Sequence, residues 1–345
     1  MRQARRIGVL AALIALLSSG ALAQSAPSLS LGLPLDCTPG ETCWISNYVD
    51  HDPGQGVRDY MCGTATYNLK SRDGERHLGT DFALRDLAAM KSGVGALAVA
   101  AGTVAGVRDG MADIDVKRLG AEKLKGKFCG NGLVIEHAGT YSTQYCHLRR
   151  GSITVKQGER VAAGQKIGLV GLSGLTQYPH LHVTVRHGKT VVDPFVGLTR
   201  KKKCGPGAKP LWRDDVLAAL PYGPSALYNV GFAGEQPTAE KIRAGEYRDI
   251  EIARTAPLLI FWVDAFQVRQ DDELTFLILG PDGKPFLKRK IVLKKQYARM
   301  LNFAGKRLES LPLEPGTYTG IALLTRKNPG PGQKTFTRHA RITVK

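Results

Sequence analysis

The sequence predicts an all-β protein in two parts: an antiparallel sheet or barrel-like domain followed by a small β-sandwich. Three observations carry that prediction. Short apolar runs alternate with glycine- and proline-containing turns along most of the chain, and long runs of helical periodicity are missing. A basic, Gly/Pro-rich stretch at 200–210 (RKKKCGPGAKP) separates two such β-patterned regions. At 345 residues the chain has room for two domains of ordinary size, and its 43% hydrophobic and 23% charged content is that of a globular protein.

The first residues read as an export signal. Arg2, Arg5 and Arg6 form a positive start, 7–17 is an apolar run, and Ala21-Leu22-Ala23 is an A-x-A cleavage site. Residues 1–23 are therefore expected to be a signal peptide, with Gln24 the first mature residue. The apolar run is shorter than the roughly 20 residues that span a bilayer, and small residues follow it. A periplasmic or secreted protein is expected, with no stable membrane insertion after cleavage. Residues 24–65 are rich in Cys, Gly and Pro, show little periodicity, and read as a separate segment.

All six cysteines lie beyond the signal, their number is even, and no C-x-x-C pair occurs. In an exported chain this reads as disulfides and not as a thiolate metal site. Cys129 and Cys146 flank one predicted hairpin and are the expected pair, while Cys37, Cys43, Cys62 and Cys204 stay unassigned.

Strands are expected at 80–84, 96–107, 132–137, 142–148, 166–170 and 180–186, making 66–200 the first β domain. Helix there is confined to short stretches near 85–90 and 112–125. A linker with a short helix at 214–220 fills 201–225. Beyond it, strands at 258–268, 273–279, 286–293, 317–324 and 335–344 alternate with turns such as Pro281-Asp282-Gly283. About seven short strands fit a small immunoglobulin-like sandwich over 226–345, with Trp262 in its core. No catalytic cluster falls in it. The net charge of +18 drops to +15 once the three signal arginines are removed. With no nucleic-acid motif present, the charge reads as attraction to anionic envelope polymers.

Chemistry concentrates in one set of residues. Four of the eight histidines occur with a carboxylate in HLGTD (77–81), QYCHL (144–148) and PHLHV (179–183). Alternate residues of a strand share a face, so His180 and His182 point the same way. His77 and Asp81 are four apart, a spacing that also shares a face on a strand, and Gly79 with Thr80 and Phe82 favours extended backbone over helix. Singly, each pair is more often a surface accident than a site. Together, two histidines and a carboxylate are a common catalytic zinc set, which leaves a fourth position for water and two histidines for proton transfer.

Read jointly, H-x-x-x-D, Y-x-H-L and H-x-H on a glycine-punctuated β domain resemble the lysostaphin/LytM-type zinc metallopeptidases, which are peptidoglycan endopeptidases. Ala101-Gly102-Thr103-Val104, 155–171 (VKQGERVAAGQKIGLVG) and Val192-Asp193-Pro194 share the likeness, which covers about 66–196. The resemblance implies one Zn2+ per chain held by His77, Asp81 and His182, proton transfer and intermediate stabilisation by His147 and His180, and peptidoglycan as the partner. Tyr145 stands where the family often has a tyrosine and is a candidate for substrate or transition-state support. Cys146, next to His147 on a strand, is expected on the opposite face and outside the metal set. The implied function is peptide-bond hydrolysis in peptidoglycan. The alternative is a non-catalytic activator of other wall hydrolases, against which all five positions are filled. Two departures, a long insertion at 108–130 and Gln177-Tyr178 where small residues are usual, bear on the substrate groove. His137 reads as structural, and His51, His187 and His339 as solvated.

Overall fold

The computed structural model describes residues 29–68, 76–199, 204–308, 312–328 and 330–345. The expected signal peptide and the basic run at 200–203 lie outside the described residues.

The first unit is built on strands β1 (Cys43–Asn47), β2 (Thr80–Leu84), β3 (Gly95–Leu97), β4 (Gly102–Arg108), β5 (Asn131–Glu136), β6 (Tyr141–Leu148), β7 (Arg160–Val161), β8 (Lys166–Leu169), β9 (His180–His187) and β10 (Thr190–Val192). Eight of them form one antiparallel sheet in the order β1-β2-β9-β6-β5-β4-β7, with β10 on β9, and β3 and β8 pair separately. The expected strand at 96–107 is thus two strands that serve different sheets. Among the described residues of this unit, helix is confined to α1 (Leu87–Ser92), α2 (Val116–Leu119), a 3-10 turn at Ala121–Leu124 and, beyond the sheet, α3 (Asp214–Ala219). Asp86 caps α1 by accepting from Ala89 N–H, and Gly93 ends it in the left-handed conformation.

Two segments read as separate belong to this core. Leu31, Leu35, Tyr48 and Tyr60 from the stretch before β2, and Leu211, Trp212, Val216 and Leu220 after the sheet, are buried with Phe82, Leu133, Leu181 and Val183 in one cluster. The 24–65 stretch even supplies an edge strand, β1. Its short CWISN run, bracketed by turn residues, carries too few positions for alternation to register.

The second unit holds β11 (Ala226–Ala233), α4 (Ala239–Ala244), β12 (Leu258–Val268), β13 (Glu273–Leu279), β14 (Pro285–Val292), β15 (Tyr297–Arg307), β16 (Gly316–Thr325) and β17 (Thr335–Val344). Its seven strands form two antiparallel sheets, β11-β12-β15 and β14-β13-β16-β17. Side chains of both line a common core, with Phe261 edge-on to Phe276 across it at 6.1 Å. The strict alternation of burial along β13 marks its inner and outer faces. Trp262 is buried beside Ala233 and Ile242 on the other face of the three-stranded sheet, under α4, and not between the sheets.

The two units meet along β1, the loop before β9 and the β11–β12 edge. Trp44, Ala83, Tyr228 and Phe266 form a small buried cluster with Tyr178 packed on it. Arg248 pairs with Asp86 at 2.6 Å, and Arg338 lies over the Trp44 ring at 5.2 Å. Among the described residues no helix is long and apolar enough to cross a membrane.

Candidate metal centre

β2 and β9 are neighbours in the sheet, and their register sets Asp81 directly opposite His182 and Ala83 opposite His180. Opposed residues share a face, so the carboxylate and both imidazoles of H-x-H rise from the same side. His77 enters from the turn just before β2. Gly79 makes the approach possible, since a Cβ there would lie 2.6 Å from both His182 Nε2 and the Val183 carbonyl oxygen.

Three donor atoms converge. His77 Nε2 is 3.0 Å from Asp81 Oδ1 and 3.1 Å from His182 Nδ1, and the latter is 2.8 Å from Asp81 Oδ1. These edges fall within a few tenths of an ångström of the ~3.3 Å between ligands around a tetrahedral ion with ~2.0 Å bonds. Outer partners aim each donor. His77 Nδ1–H donates to the Tyr48 carbonyl at 2.6 Å, which leaves the Nε2 lone pair facing inward. His182 Nε2 meets the Thr184 hydroxyl at 2.9 Å, which leaves Nδ1 inward. Asp81 Oδ2 accepts from Asn47 Nδ2 at 2.9 Å and frees Oδ1. Such partners fix tautomer and orientation at metal sites.

Charge follows the same plan. Burial alone would raise the Asp81 carboxyl, but His77, His180 and His182 outweigh it and hold the group well below the usual carboxylate range. Burial pulls the His77 imidazole down, and the Asp81 carboxylate more than offsets this, so its pKa ends raised. A cluster of two imidazoles and one firmly ionised carboxylate, all but His182 nearly inaccessible, is a set built to take a cation.

Two further imidazoles flank the triangle. His180 Nδ1 is held by the Tyr178 carbonyl at 3.0 Å and the Thr176 hydroxyl at 3.1 Å, and its Nε2 lies 3.6 Å from Asp81 Oδ1. His147 Nδ1–H donates to the Ser173 carbonyl at 2.7 Å, and its ring stands 4.6 Å from that of His180. Burial pushes both below the ordinary histidine value, well below for His147, so both are neutral bases near pH 7.

The sequence of 75–194 matches the family model described as Peptidase family M23. Residues 75–194 are an M23 domain. Among curated proteins, the peptidoglycan DD-endopeptidase ShyA of Vibrio cholerae is 49% identical over 55 residues, which is 16% of this chain and 12% of that protein. Among solved structures, a zinc containing peptidase from Vibrio cholerae is 29% identical with a TM-score of 0.27, covering 44% of this chain and 39% of that one. The catalytic domain of lysostaphin from Staphylococcus simulans is 22% identical with a TM-score of 0.27, covering 43% and 85%. The matched stretch is thus a small part of the curated relative.

The M23 domain brings His77, Asp81, His147, His180 and His182 together, and it corrects the placement of three other residues. Cys146 is opposite His182 in the β6–β9 register and shares the face of the metal centre. It stays out of the donor set because its sulfur is bonded to Cys129, the expected pair. His147 reaches the same side because the β5–β6 ladder is irregular there and His147 adopts the left-handed conformation, φ 64°. Simple alternation fails at that residue. Tyr145 does not face the site: it is fully buried, with its hydroxyl on Val99 N–H at 2.9 Å and Thr143 at 3.1 Å, and burial pushes its pKa to about 12. Its hydroxyl ties β6 to the core. His51 is not solvated, since its Nε2 lies 2.7 Å from the Asp193 carboxylate. His137 is structural as expected, tied to Ala101 and Thr143.

Asn47, Tyr48, Thr184 and Ser173 also act on the M23 site, and no motif marks them. Only Thr184 carried a signal, as the next same-face residue after His182. Tyr178, noted as an unusual bulky residue, stacks on His180 at 4.6 Å and bonds Ser46 and Asn47 at 3.0 Å.

Proposed function

We propose that this chain is an exported zinc metalloendopeptidase that hydrolyses peptide bonds in the stem peptides or cross-bridges of peptidoglycan, with one Zn2+ per chain on His77, Asp81 and His182. The observation that carries the reading is the convergence of three donors at 2.8–3.1 Å with two neutral, oriented imidazoles beside them. Zinc bound there would lower the pKa of a coordinated water and polarise the scissile carbonyl.

The chain's own residues do the rest. His147 and His180 present their Nε2 atoms to the space beside the donor triangle, and their Nδ1 atoms are occupied by backbone carbonyls. One takes the proton of the attacking water on Nε2 and, as an imidazolium, returns it to the departing amine; the other, once its Nε2 has taken up a proton from solvent, donates it in a hydrogen bond to the oxygen that becomes negative in the tetrahedral intermediate. Burial keeps both uncharged until that moment. In this reading residues 1–23 are a cleaved signal peptide, 66–200 the peptidase, whose core also takes in the segments on either side of it, and 226–345 a sandwich that adds no catalytic group. The excess of basic residues draws the protein to the anionic envelope.

The test is to incubate the mature protein with purified peptidoglycan, with and without chelator, and to analyse released fragments. New amino termini that vanish on chelation and in His147→Ala are expected. Unchanged fragments at full zinc occupancy would favour the non-catalytic activator.

A further inference from the structure

The second unit reaches the metal centre through a hydrogen-bond chain that starts at one side chain. Gln267, the penultimate residue of β12, donates from Nε2 to Asn47 Oδ1 at 2.8 Å and to the Ser46 carbonyl at 3.3 Å. Asn47 then donates from Nδ2 to Asp81 Oδ2 at 2.9 Å and to the Tyr178 hydroxyl at 3.0 Å. Gln267 and Asn47 are each only 6% exposed, so water offers no ready substitute.

The polarity of this chain is fixed at both ends. The Ser46 carbonyl can only accept, so the amide of Gln267 must present its NH2 group there. That NH2 requires the oxygen of Asn47 opposite it, which turns the Asn47 NH2 toward the Asp81 carboxylate, a pure acceptor. A reversed Asn47 would set its oxygen against that carboxylate.

Gln267 is itself anchored. Its backbone is held in the left-handed region, φ 52°. Its carbonyl accepts from Arg326 Nη2 at 2.9 Å and from Ser225 Oγ at 2.5 Å. Arg326 is fully buried and pairs with Asp272 at 3.3 Å. A non-glycine residue stays at positive φ only where its surroundings hold it, and here the Arg326–Asp272 ion pair is part of that hold.

We propose that the carboxy-terminal sandwich is a working part of the metal centre, with Gln267 a positioning residue that orients Asp81 through Asn47. The same contact area steadies the proton-transfer side, because Tyr178, stacked on His180, is itself packed on Phe266 at 5.2 Å and under Arg299 at 5.4 Å. The proposal rests on the reading that His77, Asp81 and His182 hold zinc. It makes the second unit neither a free wall-binding module nor an idle appendage.

The test uses the full mature chain, stripped of metal and titrated with Zn2+ against a chromophoric chelator, with thermal unfolding of the metal-free form in parallel. Gln267→Gly suits the left-handed backbone and removes the whole side chain, its amide included. It should weaken zinc binding about 10-fold, the low end for partners of metal ligands, while the metal-free form still unfolds in a single cooperative transition. Gln267→Glu keeps the bulk but cannot donate to Asn47, and it should weaken zinc at least as much. In an Asn47→Ala background, Gln267→Gly should add nothing. Arg338→Ala removes an inter-unit contact to Gly40 and Glu41 that leads to no ligand, and it should leave zinc affinity within twofold. Wild-type zinc affinity in both Gln267 variants, or full additivity with Asn47→Ala, would overturn the proposal. A wild-type protein that binds no zinc would instead overturn the reading on which it rests.

Discussion

Replacing Gly79 by alanine should disable the metal centre while leaving the fold standing. Gly79 lies between His77 and Asp81, and its backbone is not in the left-handed region, so the added methyl acts through crowding alone. The methyl would sit 2.6 Å from His182 Nε2, 2.7 Å from His182 Cε1 and 2.6 Å from the Val183 carbonyl oxygen. Ordinary contact begins near 3.4 Å, so something must retreat by about 0.8 Å. The Val183 backbone is fixed by its pairing with Thr80, and the imidazole is tethered to Thr184 at 2.9 Å. The imidazole is the softer of the two and carries a donor with it. Metal–ligand distances tolerate only about ±0.2 Å, so a shift several times larger should cost zinc affinity at least ~100-fold, or roughly 2.8 kcal/mol. The fold itself should lose only ~1–3 kcal/mol, the usual cost of an overpacked site. Zinc titration of the stripped protein against a chromophoric chelator measures the first quantity, and denaturant unfolding in chelator measures the second. A Gly79→Ala protein that binds zinc within about threefold of wild type would refute the crowding argument.

Acidification should destabilise the metal-free protein. His147, His180 and His182 all have folded pKa values lowered by burial, so the unfolded chain binds their protons first and stability falls as pH drops below about 6.5. Asp81, lowered as well, extends that loss to more acid pH, while the raised His77 works in the opposite sense and is outnumbered. Melting temperatures of chelated protein at pH 7.5 and pH 5.5 should therefore differ, and the gap should shrink in His147→Ala; equal values would contradict the assignment. Cys62–Cys204 closes a separation of 142 residues and Cys37–Cys43 one of only 6. Loop-closure entropy assigns about 5 kcal/mol to the first and about 2 kcal/mol to the second, so the paired serine substitutions should differ in unfolding free energy by about 3 kcal/mol. Similar losses would show that strain or residual structure outweighs chain entropy here.

What could be read from sequence was what is local in sequence. H-x-H on a strand carries its own geometry, and β2, β12, β13 and β17 coincide with the β-patterned runs that turns set apart. The fold class followed from the same periodicity. Two strands of the sandwich lack a clear β pattern: β11 contains Asn229 and Gly231, and β15 mixes arginines and Asn302 into its apolar positions. Local rules also failed where a single backbone residue changes the outcome. Cys146 and His147 adjoin on one strand, yet both reach the site's side because one residue sits at φ 64°.

The rest was illegible for a different reason: it joins residues that no pattern connects. Asn47 and Asp81 are 34 positions apart, and Gln267 and Asn47 are 220 apart. Each is an unremarkable amide in its own segment. The donor set is written in three short motifs because strands β2 and β9 need only be paired for it to form. Its orientation is written across the whole chain, because a carboxylate accepts hydrogen bonds from many directions and only surrounding packing can select one. A metallopeptidase motif therefore identifies which atoms meet the metal and leaves open what holds them. In this protein part of that answer lies in the sandwich at the far end of the sequence. A truncation that ends before β11 would leave every motif residue in place and remove the Gln267 link to Asp81.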